Sequence, residues 1–431
     1  MATIDPEAGC TVPAPGDWPV APQEDVSIEE DRLWIDGCFD FFHHGHAGVM
    51  LQSRRFGQEL LVGLHNDADI AANKGPTVMT LEERTAAVDA CRFSTKVVPH
   101  APYVTSIPWI SHYGCKYVTH GDDITSDASG NDCYRFVKKA GRMKIVPRTP
   151  GISTTDLVSR MLNSTKVHHI NNLIDCMEER ESTEGKAGGA ENGSQMRARV
   201  EEYAASANGK DPEVQVYAYV SQGASFTPVR MGREPDDRKL VYVDGGWDLF
   251  HPGHIGFLEQ VAKSEPNAYI IAGIHDDVVI NRIVGANYPI MNIFERGLCV
   301  VQCKYVNSVI FGAPHAPSAA YLENLGKLFG ASGKPPTYYH GPTRYMGVPE
   351  TTELAGARSL GVLRTIDSDA VQFPNFNTGV IVKRILDRKE KYEERQRKKG
   401  VKAVGEKAAH DKELLERQAA AEKAKQLLNG A

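Results

Sequence analysis

The sequence predicts an α/β protein with two tandem domains, each built on a doubly wound parallel sheet. Three observations predict this architecture. The chain repeats itself once at long range, each repeat alternates short apolar runs with helical patterns, and each repeat carries a His-x-Gly-His segment between its first run and its first helix. The length of 431 residues suits two or three domains.

The long-range repeat is the duplication of a whole domain. Four segments recur in the same order: LWIDGCFDFFHHGH (33–46) as LVYVDGGWDLFHPGH (240–254), VGLHND (62–67) as AGIHDD (272–277), MTLEER (79–84) as MNIFER (291–296), and His120-Gly121 as His340-Gly341. The offset grows only from 208 to 220 residues. A period of this length is far beyond a solenoid unit, so each copy is a domain.

The apolar runs of each copy predict the strands of a Rossmann-like sheet. In the first copy the runs are Leu33–Ile35, Leu60–Leu64, Val97-Val98, Tyr117-Val118 and Ile145-Val146. In the second copy they are Leu240–Val243, Tyr269–Ile274, Val309–Phe311, Tyr338-Tyr339 and Val362-Leu363. Both His-x-Gly-His segments therefore lie where a first strand turns into a first helix.

Composition divides the rest of the chain. We predict a flexible N-terminal segment at 1–30, the first domain at 31–180, a linker at 181–239 with a short helix around Met196 to Ala205, the second domain at 240–388 and a charged helical tail at 389–431. The tail pattern is typical of a solvated helix with i,i+4 ion pairs. An amphipathic membrane anchor is the alternative, although few bulky apolar residues are available for it.

The overall composition excludes several classes of protein. The net charge of −6 gives no support for nucleic-acid binding, and no stretch approaches 18 uninterrupted apolar residues. The N-terminus lacks a signal-peptide pattern, and the 8 cysteines contain no CxxC pair. We expect a cytoplasmic protein with reduced thiols and no transmembrane segment.

The His-x-Gly-His turn of the first copy is suited to binding phosphate. A strand that runs into a helix brings free N–H groups of the helix N-terminus to the end of the sheet. Gly37 and Gly45 allow close backbone approach, and His43 and His46 can donate hydrogen bonds to phosphate oxygens. A structural histidine pair and a metal site are the alternatives for one such motif. Its recurrence at the same place in both copies favours phosphate.

Cations and hydroxyl groups elsewhere in the first copy complete this pattern. Lys74, Arg84 and Arg148 could neutralise a triphosphate from several sides, as phosphoryl-type chemistry requires. The segment RTPGISTTDL (148–157) adds hydroxyl groups and backbone N–H groups at a predicted helix start. Each of the three cations taken alone could equally be an ordinary surface charge.

The motifs DGCFDFFHHGH, KGP, xxxER and RTPGISTTDL, in this order, resemble the cytidylyltransferase branch of the HxGH nucleotidyltransferase superfamily. The resemblance covers about residues 32–165 and 240–385. Two such domains in one chain resemble the members that act on ethanolamine phosphate. Members with one domain and a long amphipathic membrane helix act on choline phosphate, and this chain has neither feature.

The resemblance implies a reaction of CTP with phosphoethanolamine that gives CDP-ethanolamine and pyrophosphate with Mg²⁺, and no metal bound by fixed protein ligands. It implies that His43, His46, Lys74 and Arg148 are catalytic. The residues it assigns to CTP are Gly37, Cys38, Phe39, Asp40, Gly45, Arg84, His120, Asp122, Thr149, Gly151, Ile152, Ser153, Thr154 and Thr155. Asp36 is the candidate for the substrate ammonium, because a carboxylate is the simplest partner of an amine. Thr125 stands about where choline-specific members place an aromatic cage residue, whose loss weakens binding of a quaternary ammonium.

The second copy departs from the family pattern. Val284 replaces the lysine, and the hydroxyl-rich segment is degraded to RTIDSDAVQFPNFNTGV (364–380), in which only Thr378 and Gly379 remain. We therefore expect the first copy to carry the chemistry. The second could still hold a nucleotide through Val243, Asp244, His251, Gly253, His254, His340 and Gly341.

Three alternatives stay open at this point. The enzyme could use phosphocholine or glycerol phosphate, or ATP in place of CTP, although the RTxGxST segment argues against ATP. The chain could instead be a nucleotide-binding regulator that has lost catalysis. Related single-domain enzymes suggest that these domains pair, either within this chain or in a homodimer.

Overall fold

A computed structural model describes residues 1–123, 125–180, 191–221, 223–330, 332–341, 350–394 and Arg397. At the N-terminus, β1 (Thr3–Ile4) and β2 (Thr11–Val12) form a small antiparallel pair. The first domain contains β3 (Glu29–Gly37), β4 (Glu59–Leu64), β5 (Lys96–Pro99), β6 (Cys115–Gly121) and β7 (Met143–Val146). These five strands form a parallel sheet in the order β5-β4-β3-β6-β7. The chain thus starts in the middle of the sheet and winds outward in both directions, as the sequence predicted.

The helices of the first domain connect these strands. They are α1 (His44–Arg54), α2 (Asp67–Asn73), α3 (Leu81–Asp89), α4 (Ile107–His112), α5 (Arg135–Lys139), α6 (Thr154–Asn163) and α7 (Leu173–Met177). Several begin at residues that cap a helix N-terminus: Asn66 caps α2, Thr80 caps α3 and Ser153 caps α6. Since α1, α2 and α6 all begin beyond the carboxyl ends of strands, their N-termini lie along one edge of the sheet.

The prediction of a linker at 181–239 is wrong for most of its described residues. Residues of this segment form α8 (Gly193–Tyr203), where a short helix was expected, and two strands, β8 (Gln215–Val220) and β9 (Ser225–Arg230). Strand β8 pairs in parallel with a strand of the second domain, and β9 pairs antiparallel with β8. The segment is therefore part of the second domain's sheet. The polar residues and glycines around the two strands hid this role, and β9, at the edge of the sheet, buries only part of its surface.

The second domain repeats the first. Its strands are β10 (Leu240–Gly245), β11 (Tyr269–Ile274), β12 (Ser308–Phe311), β13 (Thr337–His340) and β14 (Leu363–Thr365), in the full sheet order β14-β13-β10-β11-β12-β8-β9. Its helices are α9 (Pro252–Ser264), α10 (Asp277–Val284), α11 (Ile293–Val301), α12 (Ala319–Phe329), α13 (Glu350–Glu353), α14 (Ala355–Ser359) and α15 (Thr378–Leu386). Apart from Val362, which directly precedes β14, the predicted apolar runs of both copies lie in strands. The predicted α/β class and the duplication are confirmed.

The N-terminal segment is packed against the first domain, which corrects its prediction as flexible. Trp18 is only 6% exposed and stacks on the His112 ring at 3.5 Å between ring centroids. His112 also bonds Asp25 through Nδ1 at 2.7 Å. The acidic and proline-rich composition of residues 1–30 predicted disorder. The stacked tryptophan and hydrogen bonds such as that from Trp109 Nε1 to the Thr11 carbonyl, at 2.9 Å, hold the segment on α4.

The two domains pair with each other inside the chain. Helix α1 contacts α11, and α3 contacts α9. Since α9 and α11 are the second-copy counterparts of α1 and α3, these two contacts are equivalent. Helix α6 contacts its own counterpart, α15. Two equivalent ion pairs cross this interface. Arg160 on α6 binds Glu295 through two bonds of 2.8 and 2.9 Å, and Arg384 on α15 binds Glu83 through bonds of 2.7 and 2.8 Å. The arrangement is a pseudo-twofold pair, as in an isologous dimer.

Three further predictions concern the whole chain. All eight cysteines lie in the described part of the chain and none is bridged. Within the described residues, no helix is long and apolar enough to cross a membrane. The predicted tail helix at 389–431 lies almost wholly outside the described residues.

Candidate active site

The His-x-Gly-His segment of the first copy forms the turn between β3 and α1. His43 caps α1: its Nδ1 accepts a hydrogen bond from the Gly45 N–H at 3.1 Å. His46, one turn later, accepts the His43 N–H on its own Nδ1 at 3.4 Å. The two rings stack with centroids 4.0 Å apart. This mutual capping fixes both rings and directs the Nδ1 atoms toward the backbone.

The capping bond determines what His43 can do chemically. Since Nδ1 is an acceptor, Nε2 carries the proton in the neutral ring. Burial, with a smaller contribution from neighbouring His46, holds the pKa of His43 well below its ordinary value. The Nε2 atom is buried and has no hydrogen-bond partner among the described residues. His43 is therefore a fixed neutral donor that lacks an acceptor, as expected of a group that binds a phosphate oxygen.

The RTPGIST segment lies directly beside this turn. A Cβ atom on Gly45 would come within 2.7 Å of the Ile152 side chain, so only glycine allows this close approach. Ser153 caps α6 by accepting the Asp156 N–H at 3.0 Å, and the Thr154 hydroxyl donates to the Asp40 carbonyl at 3.2 Å. An open cleft of about 540 Å³ is lined by Arg148, Thr149, Pro150, Gly151, Ile152, Ser153 and Asp156.

The two predicted catalytic cations are exposed. Lys74 follows the last residue of α2, with its ammonium 5.9 Å from the centroid of the Tyr103 ring. Arg148 donates its backbone N–H to Asp122 at 3.2 Å, and its charge contributes to lowering the pKa of His43. Within the part of the chain that the structure describes, neither side chain forms an ion pair. Both charges are available to an anionic ligand.

Asp40 and Arg84, both predicted to bind CTP, hold the loops of the site. The Asp40 carboxylate accepts the N–H groups of Val78 and Met79 at 2.9 and 3.0 Å. Arg84 is fully buried and donates to the carbonyls of Cys38 and His65 at 2.6 and 2.8 Å. Both side chains thus have a structural role, and their assignment to CTP stays a prediction.

Other predicted nucleotide residues surround the turn without a contact that would decide their role. The Phe39 ring lies 5.4 Å from the His46 ring, edge to face. His120 bonds its own neighbour's carbonyl, Gly121, through Nδ1 at 2.9 Å. Gly37, Cys38, Thr149 and Asp122 lie at strand ends and in loops, and Thr155 lies in the first turn of α6. Their assignment to CTP stays a prediction.

Asp36, the candidate for the substrate ammonium, lies in an enclosed pocket of donors. Its Oδ2 accepts Trp34 Nε1 at 2.9 Å and the Thr105 hydroxyl at 2.8 Å, and its Oδ1 accepts the Tyr134 hydroxyl at 2.8 Å. None of these three residues was predicted from the sequence. Trp34 could have been predicted from its i,i+2 spacing to Asp36, which places both on one strand face. Three donors hold the carboxylate rigidly and leave Oδ1 with room for a further bond.

Comparison with known proteins identifies the family. Residues 34–160 and 242–370 each match the model of the "Cytidylyltransferase-like" family. The ethanolamine-phosphate cytidylyltransferase of Mus musculus is 36% identical over 377 residues, which cover 86% of this chain and 90% of the mouse protein. The chain belongs to the ethanolamine-phosphate cytidylyltransferase family. The Saccharomyces cerevisiae enzyme of the same name is 37% identical over 69% of this chain and 84% of its own length.

Choline-phosphate cytidylyltransferases match over one domain only. The Rattus norvegicus enzyme A is 35% identical over 144 residues, which is 33% of this chain and 39% of the rat protein. The ethanolamine-phosphate family, in contrast, matches across both domains. The tandem organisation predicted from the internal repeat is therefore shared with the matched ethanolamine-phosphate family members.

The second domain of this family member preserves the scaffold of the site. Asp248 accepts the N–H groups of Ile290 and Met291 at 2.8 and 2.9 Å, as Asp40 does in the first domain. Arg296 is fully buried and bonds the His275 carbonyl at 2.7 Å. The His251 and His254 rings stack at 3.7 Å. The residues by which the sequence recognises the duplication are those that build the frame.

The second domain replaces the residues that would meet a ligand. Val284 ends α10, followed by Gly285 at φ +80°, in the position that Lys74 takes before Gly75 at φ +94°. The strand register pairs His120 with Ile145 and His340 with Thr365, so Arg148 corresponds to Ser368. The Arg364-Thr365 pair lies in β14 and is no counterpart of Arg148-Thr149, contrary to the alignment made from sequence.

The second site carries a bulkier side chain beside its first histidine. Phe376 corresponds to Ile152, since each directly precedes the residue that caps α15 or α6. Its ring centroid lies 5.6 Å from that of His251, and its carbonyl oxygen would be 2.1 Å from a Cβ on Gly253. Of the remaining predicted nucleotide residues, His254 lies in the first turn of α9, and the others lie at the ends of β10 and β13: Val243, Asp244, His340 and Gly341. Nucleotide binding by this domain stays a prediction.

Proposed function

We propose that the first domain transfers the cytidylyl group of CTP to phosphoethanolamine, giving CDP-ethanolamine and pyrophosphate for phosphatidylethanolamine synthesis. The observation that carries the proposal is the buried, neutral His43 Nε2–H, which lacks an acceptor at the N-terminus of α1. The exposed charges of Lys74 and Arg148 support it, and so do the names and the full-length match of the relatives.

The mechanism is in-line displacement at the α-phosphorus of CTP. A phosphomonoester oxygen of phosphoethanolamine forms the new P–O bond, the bond to the β-phosphate breaks, and pyrophosphate leaves with that electron pair. The phosphomonoester is already ionised near neutral pH, so neither a general base nor a protein nucleophile is required. His43 and His46 donate to the oxygens of the pentacoordinate α-phosphate, and Lys74 and Arg148 neutralise charge on the phosphates of the two substrates.

The remaining parts of the proposal concern the second substrate and the metal. Asp36 Oδ1 accepts the ammonium of phosphoethanolamine, and Thr125 leaves the pocket without an added aromatic ring for a quaternary ammonium. Mg²⁺ enters bound to the phosphates of CTP, as part of the substrate. The protein acts in the cytoplasm, and two chains form a homodimer in addition to the pairing of domains within each chain.

The test is pyrophosphate release by purified protein with Mg²⁺, offering CTP or ATP against phosphoethanolamine or phosphocholine. Release only with CTP plus phosphoethanolamine, abolished in His43→Ala, is the expected result. Preference for phosphocholine would leave the mechanism standing and contradict the roles of Asp36 and Thr125. No release in any combination, from folded protein that binds CTP, would instead support a regulatory protein.

A further inference from the structure

The loop that carries Lys74 is held at two successive residues. Between α2 and α3 the chain runs through Lys74, Gly75 and Pro76 to Thr77 and Val78. Within the first domain, the Asp40 carboxylate binds the Val78 N–H at 2.9 Å. This bond fixes one side of the Val78 peptide and leaves both neighbouring carbonyls to other partners.

The last helix of the second domain and the residues just after it supply those partners. Arg384 on α15 donates to the Val78 carbonyl at 3.1 Å while it binds both oxygens of Glu83. Tyr392, which is 1% exposed, donates its hydroxyl to the Thr77 carbonyl at 3.1 Å. The Lys74 loop is thus clamped from the first domain through N–H groups and from the second through carbonyls.

The same clamp exists in reverse on the second domain. Arg160 donates to the Ile290 carbonyl at 3.0 Å, and His168 bonds the Pro289 carbonyl through Nε2 at 2.8 Å. These four groups correspond one to one, but the second loop carries Val284 where the first carries Lys74. His169 Nε2 adds a second bond to the Pro289 carbonyl, at 3.0 Å. Two loops with corresponding contacts, only one of which has a cation to position, provide a built-in control.

We propose that Arg384 and Tyr392 are positioning residues for the reaction, through which the catalytically degenerate domain sets the place of the Lys74 ammonium. The proposal rests on the role proposed for Lys74. A loop pinned at Thr77 and Val78 leaves only Gly75 and Pro76 between the clamp and the lysine, so a shift of the clamp moves the charge relative to the phosphates. Displacement of a positioning group by about 1 Å costs up to roughly a hundredfold in rate.

The experiment is a double-mutant cycle on kcat/KM for pyrophosphate release. We expect Arg384→Ala to lower kcat/KM by about ten- to a hundredfold, and Tyr392→Phe by about three- to tenfold. In the Lys74→Ala background, each should add less than about twofold, because the group that they position is gone. His168→Phe removes one of the two histidine bonds to the Pro289 carbonyl of the Val284 loop and should change kcat/KM by less than about twofold.

Two outcomes would overturn the proposal. Losses that multiply with that of Lys74→Ala would show that Arg384 and Tyr392 act on something else. Unchanged kcat/KM in Tyr392→Phe, which keeps the buried ring and so guards against a misfolded Arg384→Ala protein, would show that the clamp does not set the lysine. If Lys74→Ala left kcat/KM unchanged, the role of Lys74 on which this proposal rests would be wrong, and the proposed function would be contradicted as well. The Lys74→Ala single variant alone gives this result.

Discussion

The two domains share one scaffold and differ in the groups that a ligand would meet. Asp40 and Asp248 bind the same two N–H groups of their loops, and Arg84 and Arg296 bind the same carbonyls at their strand ends. Lys74 has no cationic counterpart in the second domain. The motif residues that both copies keep are therefore those that the fold needs. The residues that the second copy has lost are those that we assign to the chemistry.

The histidine pair stabilises the fold in both copies, in addition to the phosphate-binding role proposed for it in the first copy. This structural role explains why both copies keep it. In each copy the second histidine accepts the N–H of the first, at 3.4 Å for His46 and 3.3 Å for His254. This bond stabilises the start of the helix whether or not a phosphate binds. A retained His-x-Gly-His is consequently weak support for catalysis unless its cations and its open space are retained as well.

The strongest test of the comparison substitutes the first histidine in each copy. His43→Ala should lower kcat by about 10²–10³-fold, because it removes a preorganised donor to the developing charge. His251→Ala should leave kcat within about threefold, since that ring faces Phe376 rather than an open cleft. Steady-state pyrophosphate release measures both, and circular dichroism with thermal unfolding checks that each protein folds. An equal collapse of kcat in two folded variants would contradict the division of labour.

The sequence predicted the strands of the two parallel sheets and the candidate cations Lys74 and Arg148 because both follow from local rules. Buried parallel strands read as apolar runs, and ten such runs with a long repeat specify two doubly wound sheets. Lys74 and Arg148 could be identified because their segments contain glycine and hydroxyl residues that a plain surface rarely combines. Both side chains are exposed in the structure, and their role stays a prediction.

Contacts that cross the duplication could not be predicted from sequence. Strand β8 contains an apolar alternation, but its pairing with β12 lies almost a hundred residues away in sequence. Tyr392 meets Thr77 across more than three hundred residues. Such partners depend on how the domains pack, which no local pattern encodes.

A second test compares the carboxylates at the ends of the first strands, Asp36 and Asp244. Pro317 stands where the first copy has Thr105, four residues after the alanine that bonds the end of β11, so Asp244 lacks a hydroxyl donor there. Burial raises the pKa of Asp244 to about 7, although the Tyr338 hydroxyl donates to it at 2.8 Å. The folded state therefore holds an extra proton between about pH 4 and pH 7, and the free energy of unfolding falls as pH rises through that window.

Asp244→Asn should remove this dependence while keeping an acceptor for Tyr338. The free energy of unfolding of Asp244→Asn, relative to that of the wild type, should increase with pH. The increase should reach about 2 kcal/mol above pH 7, a value that allows for the partial exposure of Asp244. Urea denaturation at a series of pH values measures it. A difference between the two proteins that stays constant from pH 4 to pH 8 would show that the carboxyl titrates normally.

The smallest effect concerns α8, which the sequence predicted as a short helix within a linker. This helix breaks the symmetry of the two domains. Tyr203 at its C-terminal end is fully buried and donates its hydroxyl to the His44 carbonyl at 2.5 Å, at the start of the His-x-Gly-His helix. Tyr203→Phe keeps the ring and should lower the free energy of unfolding by about 1 kcal/mol, because a buried carbonyl loses its donor. Urea denaturation checks this value.

A matched variant in the second domain distinguishes a loss of stability alone from a loss that also affects the site. Helix α8 packs on α11 of the second domain while its tyrosine reaches α1 of the first, so the bond ties the active-site turn to the domain interface. Tyr217→Phe, which removes a buried hydroxyl bonded to Gln215 within the second sheet, is the matched control. Both variants should lose similar stability, but only Tyr203→Phe should also raise the KM for CTP, by about two- to threefold, since the His43 turn relaxes. Equal KM values in both would mean that α8 stabilises the fold without supporting the site.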